Sequence, residues 1–394
     1  MRIAFVTFEY PPFIIGGAGI YAENLTKELA KLGHEVYVFT PSIENVKWMH
    51  HNEEIKNLQI INVKINNKLS LRALQFWIQV PKYIKRIEKK KKFDIVHFNS
   101  MSYWSLKNKL VKAPHVITIH HVVRNAIQTN NFGFIFRIRS ISGENNFIIP
   151  FIEERCVKNA DRIIAVSNFT KNQLIKTYSI TSNKIKVIYN GINWNQFVFT
   201  EDDFVKLKEQ YNIPNTPIIL FVGRVDDPRK GLDFLLKSFK NVLKKINATL
   251  LVVGKEQDGT ARKLTESLGI SKSVIFTGFI DEMTLKKCYK LCDVYVCPSR
   301  LEGFGLTILE AMTLGKPIIA TRTGAIPEIT PNGILVNVDD IEGLSNSIYE
   351  ILQDKKQAER LGEQNIKYVK ERFSWKKTAK KTEQLYKQLI DIHF

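Results

Sequence analysis

Along the chain, short runs of apolar and β-branched residues recur, each followed by a longer stretch whose apolar positions repeat at helical spacing. In the first half the runs are Ile3–Phe8, Glu35–Thr40, Asp94–Asn99, His115–His120, Arg162–Ser167 and Lys186–Asn190. In the second half they are Ile218–Gly223, Thr249–Gly254, Val274–Gly278, Val294–Pro298, Pro317–Thr321 and Gly333–Val336. A continuous apolar run without alternation predicts a strand buried on both faces, as in a parallel sheet covered by helices. The two series therefore predict an α/β chain of two doubly wound, Rossmann-like domains. Glycine, asparagine and aspartate break the pattern between Asn190 and Phe204, which places the joint there. The expected domains are residues 1–195 and 196–372, with 373–394 as a closing helix. In that last segment Trp375, Ala379, Thr382, Leu385 and Leu389 fall on one face, and Lys376, Lys377, Lys380 and Lys381 on the other. Such a helix can pack on either domain, including back on the N-terminal one.

Composition narrows the class. With 44% hydrophobic and 25% charged residues in 394, the chain reads as an ordinary soluble protein. Its longest apolar runs fall short of the roughly 20 residues of a membrane-spanning helix. The apolar start, Met1 to Phe8, reads as a first strand rather than a leader, so a cytoplasmic location is expected. The 4 cysteines match no zinc spacing and are expected to be reduced structural thiols. The net charge of +19 calls for an anionic partner: nucleic acid, an acidic membrane face or a phosphorylated substrate. Lysine enrichment also accompanies adaptation to heat, so charge alone decides nothing. Interleaved aromatic and basic recognition motifs are missing, so a basic nucleic-acid-binding protein is a rival reading on charge alone, and no nucleic-acid partner is expected.

Three segments carry candidate chemistry. After the first strand, Gly17-Ala18-Gly19 and Ala22 fit a dinucleotide fingerprint in form, but Glu9 to Ile15 intervene and the second strand ends in Thr40-Pro41 without an acidic residue. A nicotinamide-dependent oxidoreductase is thus a rival reading only. What remains is a glycine loop feeding a helix N-terminus, Gly17 to Leu32, either a plain turn or a phosphate cradle. In the second segment, Arg224 and Lys230 follow the first strand of the second half, at the edge where open α/β sheets bind ligands. Lys230 opens a helix in this reading and would be misplaced there without a nearby anion; Arg229 reads as solvated. In the third, Glu302 and Glu310 have 7 residues between them, Gly303 and Gly305 included. Glu302 could simply favour a helix dipole, but Glu310 lies more than a turn inside and, if buried, needs hydrogen-bond donors such as sugar hydroxyls.

The run Pro298–Ile329, the GR…KG element at Gly223–Gly231 and the N-terminal glycine loop together resemble the family-4 retaining glycosyltransferases, whose fold is the GT-B pair of Rossmann-like domains facing across a cleft. The likeness covers nearly the whole chain, and the family's E-x7-E element matches at Glu302 and Glu310. It implies transfer of a sugar from a UDP-, GDP- or ADP-linked donor, with retention, without a metal and without any cofactor. By that resemblance Gly16 and Gly17 approach the donor phosphate, and Arg224 and Lys230 neutralise the leaving diphosphate. Glu302 meets the transferred sugar, and Glu310 holds the ribose. The N–H groups around Leu306 and Thr307 cap the distal phosphate, while His120 lies beside the donor sugar. Apart from the resemblance, Gly303 and Gly305 read as substrate-binding because they let the backbone approach a bound group closely. The chain departs from the family at His121, which follows where an aspartate is more frequent, and at Ala325 in TGAIPE, where a second glycine is common. No Asp-x-Asp occurs in the sequence.

The acceptor, a glycan or a lipid-linked group, is expected on the N-terminal half. Ser70–Asp94 pairs Leu71, Leu74, Phe76, Trp77 and Ile78 with Lys82, Lys85, Arg86 and Lys89 to Lys92. It reads as a core-facing helix with a solvated lysine tail or as a helix lying on an anionic membrane. Asn130–Glu154 reads as a long irregular connection able to shape an acceptor groove.

Overall fold

The computed structural model describes residues 1–14, 16–42, 55–66, 72–100, 111–124, 148–193 and 199–393. It divides into two compact units, Met1–Gly191 with Trp375–Phe394, and Ile192–Ser374. In the first unit the strands are β1 (Arg2–Val6), β2 (Glu35–Ser42), β3 (Leu58–Lys64), β4 (Ile95–Asn99), β5 (His115–Ile119), β6 (Arg162–Ala165) and β7 (Ile185–Val187). They form one sheet in the order β3-β2-β1-β4-β5-β6-β7, with every neighbour parallel. Strands β4 and β5 are buried at every position, which is why their sequences lack alternation.

Strand β3 carries no such run and was not expected. It is an edge strand, and Gln59, Ile60, Asn62 and Lys64 are exposed while Val63 is buried. Half in water, it needs no continuous apolar stretch. The run Arg162–Ser167 also ends early as a strand. Ser167 instead caps the helix Asn168–Tyr178, its Oγ accepting from the Thr170 N–H at 3.0 Å.

The long connection needs a second correction. From residue 148 onward it is the helix Ile148–Asn159, with Pro150 in the first turn, where a missing N–H costs nothing. Ile152, Cys156 and Val157 bury one face of that helix. Residues 130–147 lie outside the described residues. The helix Arg72–Glu88 turns Phe76, Val80 and Ile84 into the core at intervals of one helical turn. Its opposite side exposes Ile78, Lys82, Lys85 and Arg86.

The second unit contains β8 (Ile218–Val222), β9 (Thr249–Val253), β10 (Val274–Gly278), β11 (Val294–Cys297), β12 (Ile318–Thr321) and β13 (Ile334–Val336). Its parallel order is β10-β9-β8-β11-β12-β13. Both sheets reverse their winding beside their first strand, between β1 and β4 and between β8 and β11. At such a switch point the loops beyond the carboxyl ends diverge and leave a crevice for a ligand. Cys156, Cys288, Cys292 and Cys297 are buried thiols outside any disulfide.

The helix Trp375–His393 belongs to the first unit, so the chain returns to the sheet on which it began. Trp375, Ala379, Thr382, Leu385, Tyr386 and Leu389 are buried, and the lysine face is exposed. A polar chain threads the packing. The Tyr386 hydroxyl bonds His97 Nδ1, His97 Nε2 lies 2.7 Å from Thr118 Oγ1, and Thr118 Oγ1 lies 3.0 Å from the Tyr21 hydroxyl. Burial, with a smaller contribution from neighbouring His120, pushes His97 down to about 3, so the ring stays neutral and needs both partners. Tyr386→Phe is expected to lower the stability of this unit by about 1–3 kcal/mol, because His97 loses its partner inside the core. Urea unfolding checks this against Lys380→Ala on the exposed face, for which a change within about 0.5 kcal/mol is expected.

Candidate active site

In the second unit the loop beyond β8 is organised around Asp227. Its Oδ1 accepts from the Arg229 backbone N–H at 3.1 Å and from Arg229 Nε at 3.0 Å, and its Oδ2 takes Arg229 Nη2 at 2.7 Å. The same Oδ2 holds Arg224 Nη2 at 2.6 Å. Burial alone would raise the Asp227 carboxyl, but the Arg229 and Arg224 guanidiniums offset it and keep it below the usual range. Arg229 is therefore not the solvated side chain expected from sequence; it is a fixed half of an ion pair. Arg224 keeps 55% of its side chain in solvent.

Lys230 closes the short turn Pro228–Lys230, and the helix Leu232–Leu243 begins only after Gly231. The anion that its position demands is a protein carboxylate: Nζ lies 2.7 Å from Glu302 Oε2. The side chains retain 24% and 14% exposure, respectively. Burial opposes both charges, yet each holds the other ionised, with Lys230 raised and Glu302 lowered. The Arg229 charge also acts on Glu302. Arg224, Asp227, Arg229, Glu302 and Lys230 thus form one series of alternating charges at the β8–β11 switch point.

The loop beyond β11 is held by contacts that sequence did not reveal. Arg300 grips Asp233 with two parallel bonds of 2.7 and 2.9 Å, reaches Asp339 and donates to the Pro228 carbonyl at 2.9 Å. Its backbone N–H donates to the Arg229 carbonyl at 2.7 Å. Two glycines permit the close approach. A Cβ on Gly231 would stand 2.0 Å from the Pro298 carbonyl oxygen, and one on Gly324 2.0 Å from that of Glu302. Ala325, the family departure, is fully buried and its N–H donates to Glu302 O at 3.0 Å.

Gly305 is the N-cap of the helix Leu306–Thr313 and offers no side-chain acceptor. Its carbonyl accepts from Ile308 and Leu309 at 3.1 and 3.3 Å. The N–H groups of Leu306 and Thr307 come before the helix's own ladder begins. Gly303 lies between Glu302 and this cap. Within the same helix Glu310 is half-buried and receives the Tyr289 hydroxyl on Oε2 at 2.8 Å. One of the donors that Glu310 was expected to seek in a ligand is therefore supplied by the protein. Burial raises its carboxyl to about 7 against the opposing pull of that hydrogen bond.

In the first unit, Gly16 caps the helix Gly17–Lys31, and its N–H donates to Glu9 Oε2 at 2.9 Å. A carboxylate thus takes the Gly16 donor that was expected for phosphate. His120 follows β5, with Nε2 2.7 Å from Asn99 Oδ1 and its ring edge-on to Tyr21 at 4.9 Å. Burial, with a smaller push from His121, lowers His120 to about 3. His121 is exposed. Among the candidates, Gly16, Gly17 and His120 lie at the carboxyl edge of the first sheet, and the others at that of the second. Asp227, Arg300, Tyr289 and Asn99 were not anticipated. Asp227 had a usable signal in the Asp-Pro turn that it caps; Arg300, Tyr289 and Asn99 had none.

Comparison with known proteins matches two family models, "Glycosyltransferase Family 4" over residues 15–196 and "Glycosyl transferases group 1" over residues 203–368. A glycosyltransferase of Methanocaldococcus jannaschii is 30% identical over 409 aligned residues, covering 100% of this chain and 99% of its own. The sucrose-phosphate synthase of Thermosynechococcus elongatus superposes with a TM-score of 0.80 at 24% identity, covering 99% of each chain. Anabaena HepE, solved in complex with UDP-glucose, superposes at 0.76 with 18% identity, covering 98% of this chain and 100% of its own. These two likenesses establish the GT-B fold of paired parallel-sheet α/β domains.

Lys230→Met is expected to destabilise the second unit by about 2 kcal/mol, below the 3–5 kcal/mol typical of a fully buried pair because both side chains keep some solvent. The double variant Lys230→Met/Glu302→Gln should recover most of that loss, since neither charge is then left alone. A double-mutant cycle by urea unfolding measures the coupling, and simple additivity would show that the pair contributes nothing.

Proposed function

The chain belongs to glycosyltransferase family 4, and from that premise we propose that it transfers a sugar from a nucleotide-diphosphate donor to a glycan or lipid-linked acceptor, with retention and without a metal. The observation that carries the site assignment is the Lys230–Glu302 pair, 2.7 Å apart beside the N-terminus of Leu306–Thr313. A cation, a carboxylate and two N–H groups outside any ladder meet at a sheet switch point, and a sugar diphosphate requires that set. Arg224 and Lys230 face the diphosphate, and the N–H groups of Leu306 and Thr307 meet its distal phosphate. Glu302 and Gly303 approach the sugar, Glu310 takes the ribose hydroxyls, and Gly16, Gly17 and His120 serve the donor from the first unit.

The chemistry follows from where charge develops. As the glycosidic bond breaks, its electron pair passes to the diphosphate oxygen, and fixed cations and N–H donors stabilise that growing charge more than the ground state. The acceptor hydroxyl attacks on the face being vacated, and its proton passes to the departing phosphate oxygen. No carboxylate is assigned as nucleophile, because Glu302 is paired with Lys230 and Glu310 lies under Tyr289. A membrane-side acceptor is supported by the helix Arg72–Glu88, where Ile78 is 52% exposed beside exposed Lys82, Lys85 and Arg86.

Incubation with UDP-, GDP- and ADP-sugars and a lipid extract containing anionic vesicles, with mass spectrometry of the products, tests the activity, the acceptor and the membrane contact together. One donor is expected to give a glycosylated product with the α linkage of its donor. Arg224→Ala/Lys230→Ala is expected to lower turnover at least about 100-fold. Near-normal turnover would remove the diphosphate assignment, and failure to sediment with the vesicles would remove the membrane part.

Glu310 supplies a second test. Its folded carboxyl, raised to about 7, binds protons more tightly than an unfolded one at 4.5, so this group's stabilising contribution is present at low pH and is lost as pH rises through about 7. Ribose hydroxyls donate to the ionised form, so nucleotide binding must expel the proton. Affinity for the free nucleotide is expected to rise between about pH 5 and pH 8, and Glu310→Gln to flatten that rise. Titration calorimetry of both proteins across this range decides the ribose role.

A further inference from the structure

Asn99 ends β4 at the switch point of the first sheet and is only 3% exposed. Its amide is fixed by hydrogen-bond chemistry. Nδ2 lies 2.9 Å from the Ala18 carbonyl oxygen, which can only accept. The same nitrogen donates to Thr7 Oγ1 at 3.1 Å, and the Thr7 hydroxyl gives its own hydrogen to the Glu9 carbonyl at 2.8 Å. Oδ1 is thereby turned toward His120 Nε2, 2.7 Å away. An amide oxygen has only lone pairs to offer, so the hydrogen in that contact belongs to Nε2. A neutral imidazole carries one N–H, and Nδ1 is left as an acceptor.

We propose that Asn99 is a positioning residue that holds His120 in the Nε2–H tautomer, so that Nδ1 meets the donor sugar as a hydrogen-bond acceptor and not as an acid. The proposal rests on the donor reading given above for what His120 touches, but not for the tautomer itself. Burial keeps the ring neutral at ordinary pH, and the groups around it are Tyr21, His97 and the exposed His121. Because the same amide grips the Ala18 carbonyl, it also ties the first turn of Gly17–Lys31 to the histidine. A glycine-loop backbone and a sugar-facing side chain are thus set by one group.

The test uses 15N-histidine-labelled protein without substrate. The wild type is expected to show His120 protonated on Nε2 and bare on Nδ1, and Asn99→Ala to show a mixture of tautomers. With the donor that the nucleotide-sugar incubation identifies, Asn99→Ala should lower kcat about 10- to 100-fold while moving the donor KM much less. Asn99→Asp keeps an acceptor for Nε2–H but adds a negative charge, so the acidic limb of its kcat/KM profile should move up by about one pH unit or more. A wild-type His120 protonated on Nδ1, or an Asn99→Ala protein with an unmixed tautomer and unchanged kcat, would overturn the proposal. The wild-type spectrum decides even if a variant fails to fold. It also requires no turnover, so failure of the clamp and failure of the donor assignment are read separately.

Discussion

A lysine drawn largely out of water keeps its charge only beside an anion, and Lys230 places that demand at the point where the second sheet changes direction. Glu302 meets it at 2.7 Å. Much of the surrounding loop structure serves to keep that carboxylate where it is. Arg300 bolts the β11 loop to Asp233 and Asp339, and Gly324 lets a neighbouring turn lie against the Glu302 backbone. Ala325 donates its N–H to the same carbonyl. Removing either charge would leave the other alone, with about 2 kcal/mol of desolvation unrecovered.

The first unit solves a different problem with neutral groups. Beneath its switch point lie two histidines, His97 in the core and His120 half-buried at its edge, and burial holds both neutral. A neutral imidazole is tolerable inside a core if each nitrogen finds a partner of the right kind. Tyr386 and Thr118 partner His97, which is why the returning helix is bound to the sheet by a directed contact as well as by Trp375 and Leu389. Asn99 partners His120 at Nε2, and on the proposed reading Nδ1 turns to the donor sugar.

Most of the architecture was legible because parallel strands buried on both faces write themselves as unbroken apolar runs. Strand β3 was missed for the same reason, since an edge strand with Gln59, Asn62 and Lys64 in solvent lacks that signature. Glu302, Glu310, the Arg224–Lys230 pair and the glycine loops could be singled out as candidates from their spacing and from their places after strands. Their partners were not. Arg229 looked solvated because sequence does not reveal that Asp227 folds back over it. Arg300 looked like any loop arginine because Asp339 lies 39 residues away along the chain. Asn99 looked like the polar end of a strand. Contacts between loops of different strands are set by the sheet order, and no local pattern records them.

Protein carboxylates already occupy several of the places assigned to phosphate: Glu9 at the Gly16 N–H, Asp227 at Arg224 and Glu302 at Lys230. On the proposed reading, this arrangement shapes the energetics of the reaction. Cations held by carboxylates are fixed in place before the donor arrives, so little ordering is lost when it binds. They are also partly neutralised, so a ground-state diphosphate gains less from them than it would from bare charges. As the sugar departs and negative charge concentrates on the diphosphate oxygen, the attraction of Arg224 and Lys230 for that oxygen grows, while their bonds to Asp227 and Glu302 do not. The difference between those two states is the part of the interaction that lowers a barrier.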